Sequence, residues 1–546
     1  MTMSRPSAVS DGVGQHGFLP GKRGALLRRV AVATFLSAST AAAQQRDAIL
    51  LLQNSDTFSI ERFSRTRSRL ESEMVVKPAG MRINLTATLG AKGVDSASMA
   101  VRQASADKSA PPLQAATVRF QDDSVFVDVS GAAARPTQRI GSKRGAIPFL
   151  NPSFGLVELA IARARSLGGD TASVPLFMLQ GGGTVLVKVT RLGRDSVVVD
   201  FTNVVARLAV SSNDEIVGGV IPAQNLRLVR VRGASEAGMA VAKPDYRAPA
   251  GAPYTAIDVT VPTPMGHTLA GTLTLPRNAK GRVPAIVTIT GSGQEDRDES
   301  IPIVKGYRPF REIADTLAYH GIAVLRMDDR GFGESGGDAS KATSADFADD
   351  IRAGLAFLRA RADIDGGRLG LIGHSEGGLI APMVAANDGA LRGIVLMAGP
   401  SKTGRVILEY QQRNAIDHDT SLTGAKRDSA LRRMSVITDS LGAAMPWMRF
   451  FLDYDPLVTA RKVTVPTLIL QGMTDQQVTR DQAESLARAL REGGNGRVTV
   501  RLFPEANHLF VQDPDGNPAK YSTLPSGALR RDVKGALVDW LVARMR

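Results

Sequence analysis

The stretch from Arg368 to Gly378, RLGLIGHSEGG, limits what this chain can fold into more than any other. Leu369, Leu371 and Ile372 form an apolar run of strand length, and Leu379, Ile380, Met383 and Val384 recur after it at helical spacing. Ser375 therefore falls at a strand-to-helix turn. So sharp a turn holds the serine backbone at positive φ, and only small residues two before and two after it avoid a clash; Gly373 and Gly377 occupy those places. This G-x-S-x-G arrangement lifts a hydroxyl to the carboxyl edge of a sheet. It also aims the amides that open the next helix at any oxyanion formed there. Ser375 is the candidate nucleophile.

A serine nucleophile needs a base, and the base needs an acid to orient it. His508, in Phe503-Pro-Glu-Ala-Asn-His508, follows the last apolar strand pattern; the only other histidine C-terminal to Ser375 is His418. Asp475, in Leu470-Gln-Gly-Met-Thr-Asp475, also follows a strand pattern directly, whereas its competitors Asp453 and Asp455 precede one. The order Ser375, Asp475, His508 is that of enzymes built on such an elbow. His374 is expected to pack or hydrogen-bond, because its side chain should point away from that of Ser375.

The surroundings agree with this reading. From residue 254 onward, strand patterns at Ala256–Val261, His267–Leu275, Pro284–Ile289, Ile322–Met327, Arg368–Ile372, Gly393–Met397, Pro466–Leu470 and Val498–Leu502 are interspersed with helical ones. The helical stretches are 310–320, 345–361, 377–386, 480–491 and 529–544. Eight strands, the later ones separated by helices, imply a mostly parallel sheet covered on both faces, with ligands at the strands' carboxyl ends. Thr290-Gly-Ser-Gly-Gln-Glu-Asp-Arg-Asp298 follows the third strand, and its glycines permit close backbone approach. The amides of Ser292 and Glu376 are the candidate oxyanion donors. No Lys-Ser/Thr follows Gly291-Ser-Gly293 at the spacing a phosphate loop needs. Asp328 to Ser335 reads as a tight turn. Residues 401–456 are far too long for a simple connection and carry apolar residues at helical spacing, so they are expected to form a helical cap, with Trp447 as a wall of the substrate pocket.

These stretches carry a resemblance. Gly291-Ser-Gly293 with Asp296-Arg-Asp298, Asp329-Arg-Gly-Phe-Gly333, Gly373-His-Ser-Glu-Gly-Gly378, Trp447 to Pro456, Gln471-Gly-Met-Thr-Asp475 and Asn507-His508 resemble the bacterial α/β-hydrolase carboxylesterases of the EstD type. Those are similar in turn to serine-aminopeptidase-like and dienelactone-hydrolase-like enzymes. The resemblance covers residues 254–546 and implies Ser375 as nucleophile, Asp475 as acid and His508 as base. One departure is Gln294-Glu295, where such loops usually read Pro-Gln.

Upstream the pattern differs. Between about Asp56 and Val231, short alternating segments such as Thr184–Thr190 and Asn225–Val231 are parted by turn signals such as Gly181-Gly-Gly183, which predicts an antiparallel sheet. One helix is predicted over 154–167, with Leu156, Leu159, Ala160, Ala164 and Leu167 as its apolar stripe, and a sheet curved around it would bury one face. The β-rich domain is expected over 44–231, a Gly-, Ala- and Pro-rich linker over 232–253. Residues 1–43 read as an export signal: Lys22, Arg23, Arg28 and Arg29 precede the weakly apolar run Val30–Ala43, which closes on Ala41-Ala-Ala43. That run is too short to span a bilayer, so a periplasmic or secreted protein with no lasting membrane span is expected.

A net charge of +14 raises the question of a nucleic-acid partner. The excess, however, falls mainly before residue 254, and no basic run is interleaved with aromatics. No nucleic-acid partner is expected. Absence of cysteine excludes disulfides, thiolate metal sites and a cysteine nucleophile; neither metal nor organic cofactor is called for. The first expectation is an exported serine esterase with a small-molecule ester substrate. A peptidase using the same three residues is the second, and a non-catalytic ligand-binding protein the third.

Overall fold

The central strand Ile364–His374 is flanked in parallel by Val283–Ile289 and Gly393–Met397, with Gly373 level with Ile289 on one side and Leu396 on the other. The computed structural model describes residues 46–546 apart from 54–55, 78–79, 91–92, 105–111, 132–134, 180–181, 202–203, 236–238, 240–243, 278 and 420–421. The expected export signal lies outside the described residues. Across the C-terminal sheet the order is Tyr254–Pro262, Thr268–Pro276, Ala323–Met327, Val283–Ile289, Ile364–His374, Gly393–Met397, Thr467–Gly472, Val498–Phe503. The first two pairings are antiparallel and the remaining five parallel.

Apolar residues dominate the inner strands, and Val283–Ile289 and Gly393–Met397 are buried along their whole length, because both faces are covered. Leu371, Ile394, Leu396 and Ile469 pack on one side with Ile351 and Leu355 of helix Ser344–Arg359, Leu379 of helix Gly377–Ala385 and Leu486 of helix Asp481–Glu492. Their neighbours Ile372, Val395, Met397, Leu468 and Leu470 pack on the other, with Phe310 and Leu317 of helix Pro309–Tyr319 and Val533 and Leu537 of helix Arg531–Met545. The two-residue period of a strand thus sorts one continuous apolar run into two cores. Beyond Met397 the insertion folds into helices Gly404–His418, Ala425–Ala444 and Pro446–Asp453 before the chain re-enters the sheet.

The N-terminal part is a second sheet, of fifteen strands among the described residues, in which Arg46–Gln53 lies between Asp56–Arg65 and Leu226–Ala234. Its last strand runs to Ala234, past the expected boundary at 231. The segment read as a linker is tied down where described: Met239 is buried, and the Tyr246 ring lies 4.2 Å from the Arg297 guanidinium carbon. Helix Phe154–Leu167 shares one core with this sheet through Leu156, Val157, Ala160, Ile161 and Ala164. Leu167, expected in that stripe, is half exposed because the helix ends there at Gly168 with φ +78°. The helix start is fixed by Glu61, whose buried carboxylate takes the amides of Phe154 and Gly155 and the hydroxyls of Ser72 and Ser153. The two amides are among those a helix N-terminus leaves unsatisfied.

Candidate active site

Ser375 has φ +53° and is the one half-exposed residue in the buried run from Leu369 to Ala385. Its amide donates to the Met397 carbonyl at 2.9 Å, which fastens the turn to the neighbouring strand. A Cβ at Gly373 would come within 2.0 Å of the Gly377 carbonyl oxygen, and one at Gly377 within 2.2 Å of that of Ile289. No side chain fits at either place, so the glycines permit the elbow. Helix Gly377–Ala385 starts immediately after it.

His508 and Asp475 meet at the same carboxyl edge. Nδ1 of His508 lies 2.8 Å from Oδ2 of Asp475, and both side chains are buried. The carboxylate is held rigidly: Oδ1 accepts the amides of Gln477 and Val478 at 2.8 and 2.9 Å, and Oδ2 accepts Nε2 of Gln471 at 3.0 Å. An acceptor-only group in this position selects the tautomer with its proton on Nδ1 and leaves Nε2 of His508 free to accept. Among the described residues no hydrogen bond joins Ser375 to His508, a contact that commonly tightens only with substrate bound. Asp455 instead caps helix Pro456–Ala460 by accepting the Leu457 amide at 2.9 Å, and Asp453 ends the preceding helix. His418 bonds its own helix's Asn414 carbonyl.

The loop after Val283–Ile289 comes against the elbow. A Cβ at Gly291 would stand 3.5 Å from that of Ser375. The Gly291 amide is consumed by Glu299 at 3.0 Å and Glu295 at 3.2 Å. The next amide, that of Ser292, and the amide of Glu376 have no acceptor among the described residues. Glu376 is buried, which pushes its carboxyl above the usual range, although the Ser344 hydroxyl and the Trp447 indole donate to Oε1 and pull the other way. Nε1 of Trp447 donates to Glu376 Oε1 at 2.7 Å, and the Trp447 ring stacks on Phe451 with centroids 5.6 Å apart. Trp447 thus reaches from the inserted helices to the residue that follows the nucleophile.

Several structural groups here were not legible as such. Asp329 accepts the Thr290 hydroxyl at 2.6 Å and the Glu295 amide at 2.9 Å, so the turn at 328–335 anchors the loop. Gln294, where related loops read proline, bonds the Gly331 carbonyl through Nε2 at 3.1 Å and fixes the same loop by another route. Arg297 is buried and forked onto Asp328, with Nε to Oδ1 at 3.0 Å and Nη2 to Oδ2 at 2.7 Å. His374 does hydrogen-bond: Nδ1 lies 2.6 Å from Glu299 Oε1 and Nε2 2.9 Å from the His508 carbonyl. The density of acids in 295–299 was the only available signal, and it does not reveal burial.

No metal-holding group of side chains is present among the described residues, and no described helix is long and apolar enough to cross a membrane. Residues 304–515 match the family model described as Serine aminopeptidase, S33. Esterase EstD of Thermotoga maritima is 28% identical over 307 residues, spanning 55% of this chain and 70% of that protein. An uncharacterized peptidase of Bacillus subtilis, YuxL, is 27% identical over 217 residues, 37% of this chain and 28% of its own length. Among solved structures, the esterase Pf2001 of Pyrococcus furiosus superposes with a TM-score of 0.38 at 17% identity, covering 54% of this chain and 92% of that one. The C-terminal part of the chain is thus similar to the α/β-hydrolase esterases of the EstD type.

Proposed function

We propose that this protein is an exported serine hydrolase that cleaves carboxylic esters through an acyl-enzyme. The observation that carries the reading is the buried His508–Asp475 pair, 2.8 Å apart, at the sheet edge where Ser375 stands on its elbow. In the proposed reaction His508 Nε2 takes the hydroxyl proton as Ser375 Oγ attacks the ester carbonyl. The imidazolium so formed is stabilised by Asp475. The oxyanion is received by the amides of Ser292 and Glu376, which lie beside the nucleophile without other acceptors. Collapse expels the alcohol, which takes the proton from His508; water then repeats the sequence and releases the acid. The chemistry requires no metal or organic cofactor.

Similarity to an esterase supports ester substrates. Similarity to the serine aminopeptidase family supports a second reading, amide cleavage by the same residues. Export rests on the pattern of residues 1–43, and sequencing the amino terminus of secreted protein for a start at Gln44 tests it. The central test is turnover of short-chain aryl esters together with covalent labelling by a fluorophosphonate. Ser375→Ala should abolish labelling and lower kcat by roughly four to six powers of ten. Undiminished turnover in that variant removes Ser375 as nucleophile.

A further inference from the structure

The interior of the N-terminal sheet is not closed at the end that faces the C-terminal part. A cavity of about 740 Å³ opens there, lined from the sheet by apolar side chains that include Met81, Ile83, Met99 and Val101. Its other wall is Ile303 and the turn at 518–523. A second cleft of about 650 Å³ shares Phe58, Ile303, Ser522 and Thr523 with it, so the two form one space. Volumes of this size are those of small-molecule sites.

The charges around this space have one sign. Lys77 and Lys305 line the outer cleft and Lys520 the inner cavity, and no acid lines either among the described residues. Lys520 is shared with Asp515, whereas Lys77 and Lys305 have no acidic partner among the described residues. No arginine lines the space either among the described residues, so its cationic contacts are compact ammonium groups rather than planar forks. Apolar walls with ammonium groups at the rim suit an amphiphile: a chain inside and a single compact anion at the mouth. We propose that this space binds a long-chain carboxylate, its hydrocarbon chain among the apolar side chains of the sheet and its head at Lys77 and Lys305. The site abuts the hydrolase sheet through the turn at 518–523, whose Tyr521 is buried and accepts Nε2 of Gln477 beside the Asp475 loop. The proposal does not rest on the esterase reading.

Fluorescence titration of the full-length chain with cis-parinaric acid tests it, with Ser375→Ala as the background so that no turnover intrudes. Saturable binding of one molecule per chain is expected, displaced by palmitate and far less well by hexadecanol. Lys77→Glu with Lys305→Glu changes only exposed side chains and should weaken binding roughly tenfold or more, as loss of charge-assisted contacts does. Ile303→Asp, also at an exposed position, should weaken it similarly by placing an anion at the mouth. Absence of saturable binding overturns the proposal, as does displacement by hexadecanol equal to that by palmitate. Tighter competition by a lysophosphatidate overturns the carboxylate assignment. Self-association abolished by Ile303→Asp, without parinarate binding, assigns the mouth to a second copy of the chain and overturns it too.

Discussion

Glu299 and His374 form a buried pair, Oε1 to Nδ1 at 2.6 Å, that ties together two loops of the candidate site. The same oxygen accepts the Gly291 amide, and the far nitrogen of His374 reaches the carbonyl of His508 at 2.9 Å. A carboxylate and a carbonyl only accept, so the two contacts together favour the doubly protonated ring. Burial opposes that charge, yet the facing carboxylate prevails and holds the pKa of His374 above its ordinary value of 6.5. Glu299 pays for its place with a φ of +56°, a conformation that the surrounding contacts impose.

The sign of the pH dependence follows. A histidine whose pKa is raised on folding contributes its stability in full below 6.5, and that contribution is lost as pH rises through the higher folded value. His374→Gln should therefore cost about 3 kcal/mol at acidic pH, the scale for breaking a buried ion pair. The gap in Tm between wild type and variant should shrink as pH rises above 6.5. A gap that stays constant over that range would show the ring to be neutral in the folded protein.

Asp475 and Asp455 separate a chemical role from a local structural one. Asp475→Asn leaves the shape of the side chain but disturbs the tautomer of His508, and kcat should fall by roughly 10⁴-fold. Asp455→Ala removes only a helix cap, at about 1 kcal/mol of stability, with kcat unchanged. His508→Ala should match Ser375→Ala, and the double variant should be little worse, because residues acting as one unit are not additive. Loss of activity on changing Asp455 rather than Asp475 would reverse the assignment of the acid.

What was legible in the chain, and what was not, divides along physical lines. The elbow could be read because Gly373 and Gly377 answer a steric requirement only two residues away. The helices of the insertion could be read because a segment of that length with helical spacing has few other ways to bury its apolar residues. Glu299, Asp329 and Gln294 could not be given their places, since each works through partners 75, 39 and 37 positions away in the chain. Leu167 fits the helical stripe by spacing yet lies at the last turn, where periodicity no longer decides burial.

Ester and amide substrates distinguish the two catalytic readings. An aminopeptidase must anchor a free amine, and the only glutamate in the inserted helices, Glu409, is half-buried on helix Gly404–His418. Acetyl and butyryl esters should accordingly be cleaved with higher kcat/KM than matched aminoacyl or peptide amides. The reverse order would move the proposed function to peptide bonds while leaving Ser375, Asp475 and His508 in their roles.

Trp447 combines two contacts that substitution can separate. Its indole nitrogen donates to Glu376, whose backbone amide is a proposed oxyanion donor, while its ring stacks nearly parallel to Phe451 at 10°. Trp447→Phe keeps a ring and removes the donor, leaving the Ser344 hydroxyl to hold the Glu376 carboxylate. The rate should then fall while acyl-chain preference stays as in the wild type. Trp447→Ala removes the wall as well and should shift that preference towards longer chains, with the fluorophosphonate reaction preserved. Should Trp447→Ala lower only Tm and leave the ester profile unchanged, the residue packs the cap and takes no part in the substrate pocket.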